Sequence, residues 1–169
     1  MKNLSVVFKL QIISIVFIFG GCKNQNGFKA TDSLPVITIK SVNMPMMAKK
    51  PFEIVFEIKA KGTLPVAIAG KDLEIVIQNN NNPWLFIATP YFPDSKSEIF
   101  IIQPGQPLLL KANVLADKMN KEKTWYNLPS GEYEIRVYAF SGKALKFDYQ
   151  WLGQTYSNNY KFIIGKKSE

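Results

Sequence analysis

From Phe52 to Lys59 the chain alternates strictly, with Phe52, Ile54, Phe56 and Ile58 set against Glu53, Val55, Glu57 and Lys59. A period of two places one set on each face of a pleated strand and rules out a helix over the same residues. The pattern recurs. Leu73, Ile75 and Ile77 alternate with Glu74, Val76 and Gln78, and Tyr133, Ile135 and Val137 with Glu132, Glu134 and Arg136. Shorter runs rich in β-branched and aromatic residues occupy 35–39, 84–89, 99–103, 108–115 and 160–164. Turn chemistry falls between them: the Asn run 79–82 before Pro83, Pro90 with Pro93-Asp94, Pro104-Gly105, Pro129-Ser130-Gly131 and Ser141-Gly142, the last expected to be a hairpin turn. Asp117 to Lys123 suits one helical turn or a solvated loop. Seven to nine short strands in one composition zone predict an antiparallel β-sandwich over 34–165, followed by a polar tail at 166–169. A domain of that size buries about two-thirds of its unfolded surface and stands without disulfides.

The inventory narrows the chemistry. There is no His and a single Cys, Cys22. Ser-His and Cys-His catalytic pairs and the common zinc sites cannot be built, nor can an internal disulfide. Gly-rich phosphate loops, Ser-x-x-Lys, Gly-x-Ser-x-Gly and calcium-loop motifs are absent from the sequence. Glu53 and Glu57 share a strand face but stand about 13 Å apart by strand rise, too far for a glycosidase pair. The residues therefore imply a non-enzymatic protein with no cofactor.

The first 22 residues have a different character. Lys2 and Lys9 precede an apolar run from Leu10 to Phe19, which ends in Gly20-Gly21-Cys22. A basic start, a short apolar stretch and a small-residue end describe an export signal, and the run is too short to span a bilayer. Gly20-Gly21-Cys22 resembles the lipobox of bacterial lipoproteins, with Phe19 where that family has Leu. The resemblance implies cleavage between Gly21 and Cys22, a diacylglycerol on the Cys22 sulfur and acylation of the new amino terminus. It divides the chain into a signal peptide at 1–21 and a polar tether at 22–33 that links the lipid to the domain. Lys23 stands where an Asp would retain such a protein in the inner membrane, so the outer membrane is the expected location. Each lipid methylene buried contributes about 0.8 kcal/mol, which makes a multiply acylated anchor close to permanent.

Cleavage removes Lys2 and Lys9 and lowers the formal charge from +8 to +6. Arg136 is the only Arg. A Lys-rich, Arg-poor, exported chain is poorly suited to reading nucleic acid, where bidentate Arg contacts dominate.

Two phrases bear on the fold. Ile102-Gln103-Pro104-Gly105-Gln106 and Leu128-Pro129-Ser130-Gly131-Glu132-Tyr133-Glu134-Ile135 occur in an order similar to many bacterial immunoglobulin-like sandwich domains, the Bacillus-type intracellular proteinase inhibitor domain among them. Trp151-Leu152-Gly153 and Ser157-Asn158 suit the same layout. The resemblance implies an immunoglobulin-like sandwich and carries no partner with it.

The candidate binding residues are aromatic: Trp84, Tyr91, Phe92, Trp125, Tyr126 and Trp151. Gathered at one end of a sandwich, they would form a stacking platform for sugars or an apolar protein-binding patch. Each Trp has the alternative role of filling or sealing the core. Tyr91-Phe92, held between Pro90 and Pro93, is expected to stand exposed and outside any ladder. The expected function is that of a membrane-anchored envelope lipoprotein that binds another protein or acts as an accessory module. The alternatives are a glycan-binding module that uses the loop aromatics, or an inhibitor of an envelope hydrolase.

Overall fold

A computed structural model describes residues 27–44, 50–95, 98–142 and 145–164, without the side chains of Pro83 and Trp84. The expected signal peptide 1–21, Cys22, the start of the expected tether and the tail 166–169 lie outside the described residues. No described helix is long and apolar enough to cross a membrane.

The described chain is all-β. Ten strands are present: β1 (Leu34–Asn43), β2 (Phe52–Lys61), β3 (Val66–Ala69), β4 (Leu73–Asn79), β5 (Asn82–Ala88), β6 (Ile99–Ile102), β7 (Leu108–Val114), β8 (Gly131–Ser141), β9 (Gly153–Tyr156) and β10 (Tyr160–Ile164). Two one-turn 3-10 segments, Gly70–Asp72 and Trp125–Asn127, are the only described helical elements. One sheet has the order β1-β2-β7 and a second the order β10-β8-β4-β5, with β9 also paired to β8. β3 and β6 form a small antiparallel pair.

The alternation read from the sequence supplies the core. Phe52, Ile54, Phe56 and Ile58 of β2 are fully buried, and so are Leu73, Ile75 and Ile77 of β4. Tyr133, Ile135, Val137 and Ala139 of β8 complete the inner face of the second sheet. These rows form one cluster with Ile37, Ile39, Leu110 and Ala112, so the two sheets pack face to face in a β-sandwich-like arrangement. Each large aliphatic or Phe side chain buried in this way contributes about 1.5–3 kcal/mol. On the wet face of the first sheet Glu53 pairs with Lys111 at 2.6 Å, and Glu57 with both Lys40 and Lys59 at 3.2 Å.

The turns follow their residues. Asn79 and Asn82 pair across the β4–β5 hairpin, where the Asn79 Oδ1 accepts from the N–H groups of Asn81 and Asn82. Gln106 N–H donates to the Gln103 carbonyl around Pro104 and Gly105, and Gly105 has φ +75. That is a type II turn, whose third residue needs positive φ.

Two expectations are corrected, and one left open is decided. Ser141-Gly142 is not a tight hairpin turn, because Ser141 pairs with Gly153 and the connection runs from 142 to 152. Of the two readings open for Asp117 to Lys123, the structure has the loop, closed on its own carboxylate: the Asp117 Oδ1 accepts from Met119 and Asn120, and its Oδ2 accepts from Ile87 on β5. The end of the segment expected as a tether at 22–33 is bonded to the domain from Lys29 onwards. Lys29 N–H donates to Asp148, its carbonyl accepts from Tyr149, Thr31 Oγ1 donates to the Pro65 carbonyl, and Ser33 is buried and accepts from Leu64.

β9 and β10 run along the same side of β8, one beyond the other, with Ser157 to Asn159 between them. Ser157 N–H donates to the Val137 carbonyl, and its Oγ accepts from Val137 N–H at 2.9 Å. Next to it, the Asn158 Oδ1 accepts from Ile39 N–H on β1 at 2.8 Å. This short break therefore ties β8 to β1, across the two sheets.

Candidate binding cleft

An open cleft of about 900 Å³ lies at the end of the sandwich where β3, β5 and β8 stop. Its volume is in the range of ligand-binding clefts. Its described walls are the β3–β4 turn, the stretch from Thr89 to Ser95 with Glu98 and Ile99, and Gly142 with Lys146, Phe147 and Gln150.

Tyr91 and Phe92 form one wall. Phe92 is half-buried, 4.9 Å from the Phe100 ring centroid and 6.3 Å from that of Phe56, edge-on to both. It roots the segment in the core. Tyr91 is 68% exposed, as the sequence predicts. Its backbone, however, is paired: its N–H and carbonyl both bond Asn113 of β7, at 3.0 and 2.7 Å. The flanking prolines restrict the pairing to that single residue, rather than preventing it. The Tyr91 main chain is therefore fixed while its ring points to solvent.

The opposite wall is held from behind. The Gln150 amide is buried, donating to Ser141 Oγ at 2.8 Å and accepting from Lys146 N–H at 2.6 Å. Ala67 N–H donates to the Tyr149 carbonyl, and Trp151 N–H to the Ala67 carbonyl, which stitches the 142–152 connection to β3. Tyr149 adopts φ +57, an uncommon conformation for a residue with a side chain. These bonds place Lys146 and Phe147 at the cleft. Among the described residues its ionic groups are Lys71 and Lys146 with Asp72 and Glu98, set around the apolar surface of Pro90, Tyr91, Phe92, Ile99 and Phe147. Among the described residues no three His, Cys, Asp or Glu side chains converge as metal ligands.

Of the candidate aromatics, the structure brings Tyr91 and Phe92 into the cleft and leaves Trp125, Tyr126 and Trp151 elsewhere. Trp125, 6% exposed, is core: its indole N–H donates to the Lys50 carbonyl at 2.8 Å, and its ring meets Phe52 edge-on. Tyr126 packs beside it, half-buried. Trp151, also 6% exposed, belongs to the same core cluster. Neither Trp125 nor Trp151 offers a ring face to a ligand, which corrects their place among the binding aromatics. The Trp84 side chain lies outside the described residues.

The sequence reading missed Tyr138 and Phe140, which stand on a strand rather than a loop. Phe140 and Tyr156 are 62% and 61% exposed, and Tyr138 lies directly opposite Tyr156. The signal was available. Extending the β8 alternation past Val137 puts Tyr138 and Phe140 in the outward phase of Glu132, Glu134 and Arg136.

No protein-family model matches the chain, and no curated protein is similar to it.

Proposed function

We propose that this protein is a lipid-anchored component of the bacterial cell envelope, in the outer membrane, whose single immunoglobulin-like domain binds a partner protein through the cleft and performs no catalysis. The observation that carries the binding role is the cleft itself: an apolar surface with a rigidly mounted, exposed Tyr91 and charged residues of both signs around it. Such a surface suits an apolar anchor from a partner chain, with the charges setting register at the rim. The anchor rests on Gly20-Gly21-Cys22. The immunoglobulin-like reading is supported by the sheet orders β1-β2-β7 and β10-β8-β4-β5, and by the Tyr133 hydroxyl bonded to the Pro129 carbonyl at the start of β8. Glycan binding by the loop aromatics has less support, because two of its three Trp residues are core.

Two measurements test the proposal. Intact mass and membrane fractionation, beside Cys22→Ala, should give a lipid-bearing chain starting at Cys22 that becomes soluble in the variant. An unmodified, soluble wild-type product would remove the anchor from the reading. A photo-crosslinker in place of Tyr91 should capture a discrete envelope protein, and the same group at exposed Met119 should not. Equal capture from both positions would remove the cleft from the reading.

A further inference from the structure

The break between β9 and β10 falls opposite Arg136 and Val137, since Tyr156 faces Tyr138 and Tyr160 faces Ile135. Ser157 takes both the N–H and the carbonyl of Val137. Arg136, the only Arg of the chain, stands beside this break in the outward phase of β8. The spot is sheltered for an outer sheet face. Arg136 is half-buried, and Val76, opposite it on β4, is fully buried.

The Arg136 guanidinium lies over the Tyr156 ring, 5.4 Å from its centroid. Among the described residues no carboxylate pairs with it, and its Nε is buried without a hydrogen-bond acceptor. The nearby acids are engaged elsewhere. Glu134, two residues back on the same face, accepts from Gln78 Nε2 at 3.3 Å and Asn159 Nδ2 at 2.7 Å, with Lys161 at 3.9 Å. Glu74, diagonal to Arg136 on β4, pairs with Lys118 at 2.6 Å. Glu132 stands four residues back along β8, about 13 Å away by strand rise. The fold therefore holds a guanidinium against the sheet and supplies no acceptor for it. A partly buried charged donor costs stability until something accepts from it.

The charges around Arg136 select the ligand. Glu134 and Glu74 are matched by Lys161 and Lys118, which leaves one positive charge, on Arg136. A monoanion balances it. The guanidinium offers its N–H groups as a flat fork, and a planar carboxylate takes two of them at once.

We propose that Arg136, set over Tyr156 at the β9–β10 break, is a binding site for the carboxylate group of a ligand. The inference goes beyond the cleft and depends on neither the cleft nor the lipid anchor.

The test uses the full chain in detergent. With one Arg in the sequence, its Nε–Hε NMR signal needs no assignment. Sodium acetate, titrated against sodium chloride at equal ionic strength, should move this signal along a curve that saturates in the millimolar range. N-acetylarginine methylamide, a free arginine side chain, should not saturate there. Dimethyl phosphate, a tetrahedral monoanion, should bind more weakly than acetate. Arg136→Lys keeps the charge without the fork and should weaken acetate binding about tenfold, read at the Val137 and Asn159 amides. Lys121→Gln, on an exposed loop, should leave it unchanged. Glucuronate and a glutamate tripeptide blocked at both ends compare the two sources of such a group. Tighter binding of either than of acetate supports the site and assigns its ligand to acidic sugars or to acidic polypeptides. The proposal is overturned by a response to chloride equal to that to acetate, by a signal that does not saturate, or by failure of both larger ligands to bind. Dimethyl phosphate binding as tightly as acetate, or full binding in Arg136→Lys, also overturns it. The parent signal alone can refute the site, whatever the fold of the variant.

Discussion

The hydroxyl of Tyr133 donates to the carbonyl oxygen of Pro129, four residues back, at 2.7 Å. The bond closes the corner through which the chain enters β8, and the Tyr133 ring stacks on Phe162 of β10 at 5.5 Å. Burial raises the phenol pKa above its ordinary value and keeps the hydroxyl a donor. Tyr133→Phe removes the bond and leaves the packing. Because Pro129 is exposed and its carbonyl can turn to water, the loss should be about 1 kcal/mol. Tyr133→Ala empties a core position and should cost about 3–5 kcal/mol. Urea unfolding of the two variants measures both, and equal losses would show that the hydroxyl rather than the ring holds the corner.

How far this architecture could be read from the chain depended on the kind of pattern each element carried. β2, β4 and β8 alternate over many residues, so their inward faces were legible without tertiary information. β3 is not legible in that way. Val66–Ala69 is buried on both faces, covered on one side by the 142–152 connection, and has no alternation. β9 is Gly-Gln-Thr-Tyr, a run with little strand character, and it exists because β8 offers it a free edge. The cleft was half legible. Pro90 and Pro93 marked Tyr91 and Phe92 as unusual, but the wall opposite depends on Gln150 meeting Ser141, a contact that sequence spacing does not announce. Trp125 and Trp151 show the reverse case, since an aromatic beside a turn reads the same whether it seals the core or faces solvent.

The break between β9 and β10 should behave as a cross-sheet latch. Ser157→Ala leaves the Val137 N–H without its acceptor inside the sheet, at a cost of about 1–3 kcal/mol. Asn158→Ala releases the Ile39 N–H instead. Amide hydrogen exchange should then accelerate at Ile39 in the second variant and at Val137 in the first. Exchange unchanged at Ile39 in Asn158→Ala would mean that β1 is held by β2 alone.

Gln150 is predicted to set the shape of the cleft. Gln150→Ala removes the acceptor for Lys146 N–H and the donor to Ser141 Oγ together. Among the described residues the 142–150 wall then keeps its backbone bonds to Ala67 and Lys29, the Lys29 N–H bond to the Asp148 carboxylate and the Lys29 contact with the Tyr149 ring. Opening of this segment should become more frequent, and trypsin should cut after Lys146 faster than in the parent, with a stability loss of about 1–3 kcal/mol. An unchanged cleavage rate at Lys146 would place the rigidity of this wall in the backbone bonds.

The last prediction concerns acid. Asp117 is buried where the loop after β7 meets β5, together with the Lys118 N–H bond to the Ile87 carbonyl at 2.5 Å. Burial alone would raise its pKa. That effect is outweighed by the N–H groups of Ile87, Asn120 and Met119 and by the nearby Lys123, so the carboxyl sits below the ordinary aspartate value. A pKa depressed by folding means that the unfolded chain takes up the proton first. The stability that the carboxylate contributes is therefore fully present above the unfolded value of about 3.9, and is lost as pH falls through the lower folded value. Asp117→Asn should cost about 1–3 kcal/mol near neutral pH, since the amide keeps one acceptor and brings a donor among N–H groups. Urea unfolding of parent and variant from about pH 7 down to about pH 2 should show a constant gap above the ordinary carboxylate range, closing below it. Parallel curves over that whole interval would mean that the loop is held by the backbone bonds and Lys123 rather than by the charge on Asp117.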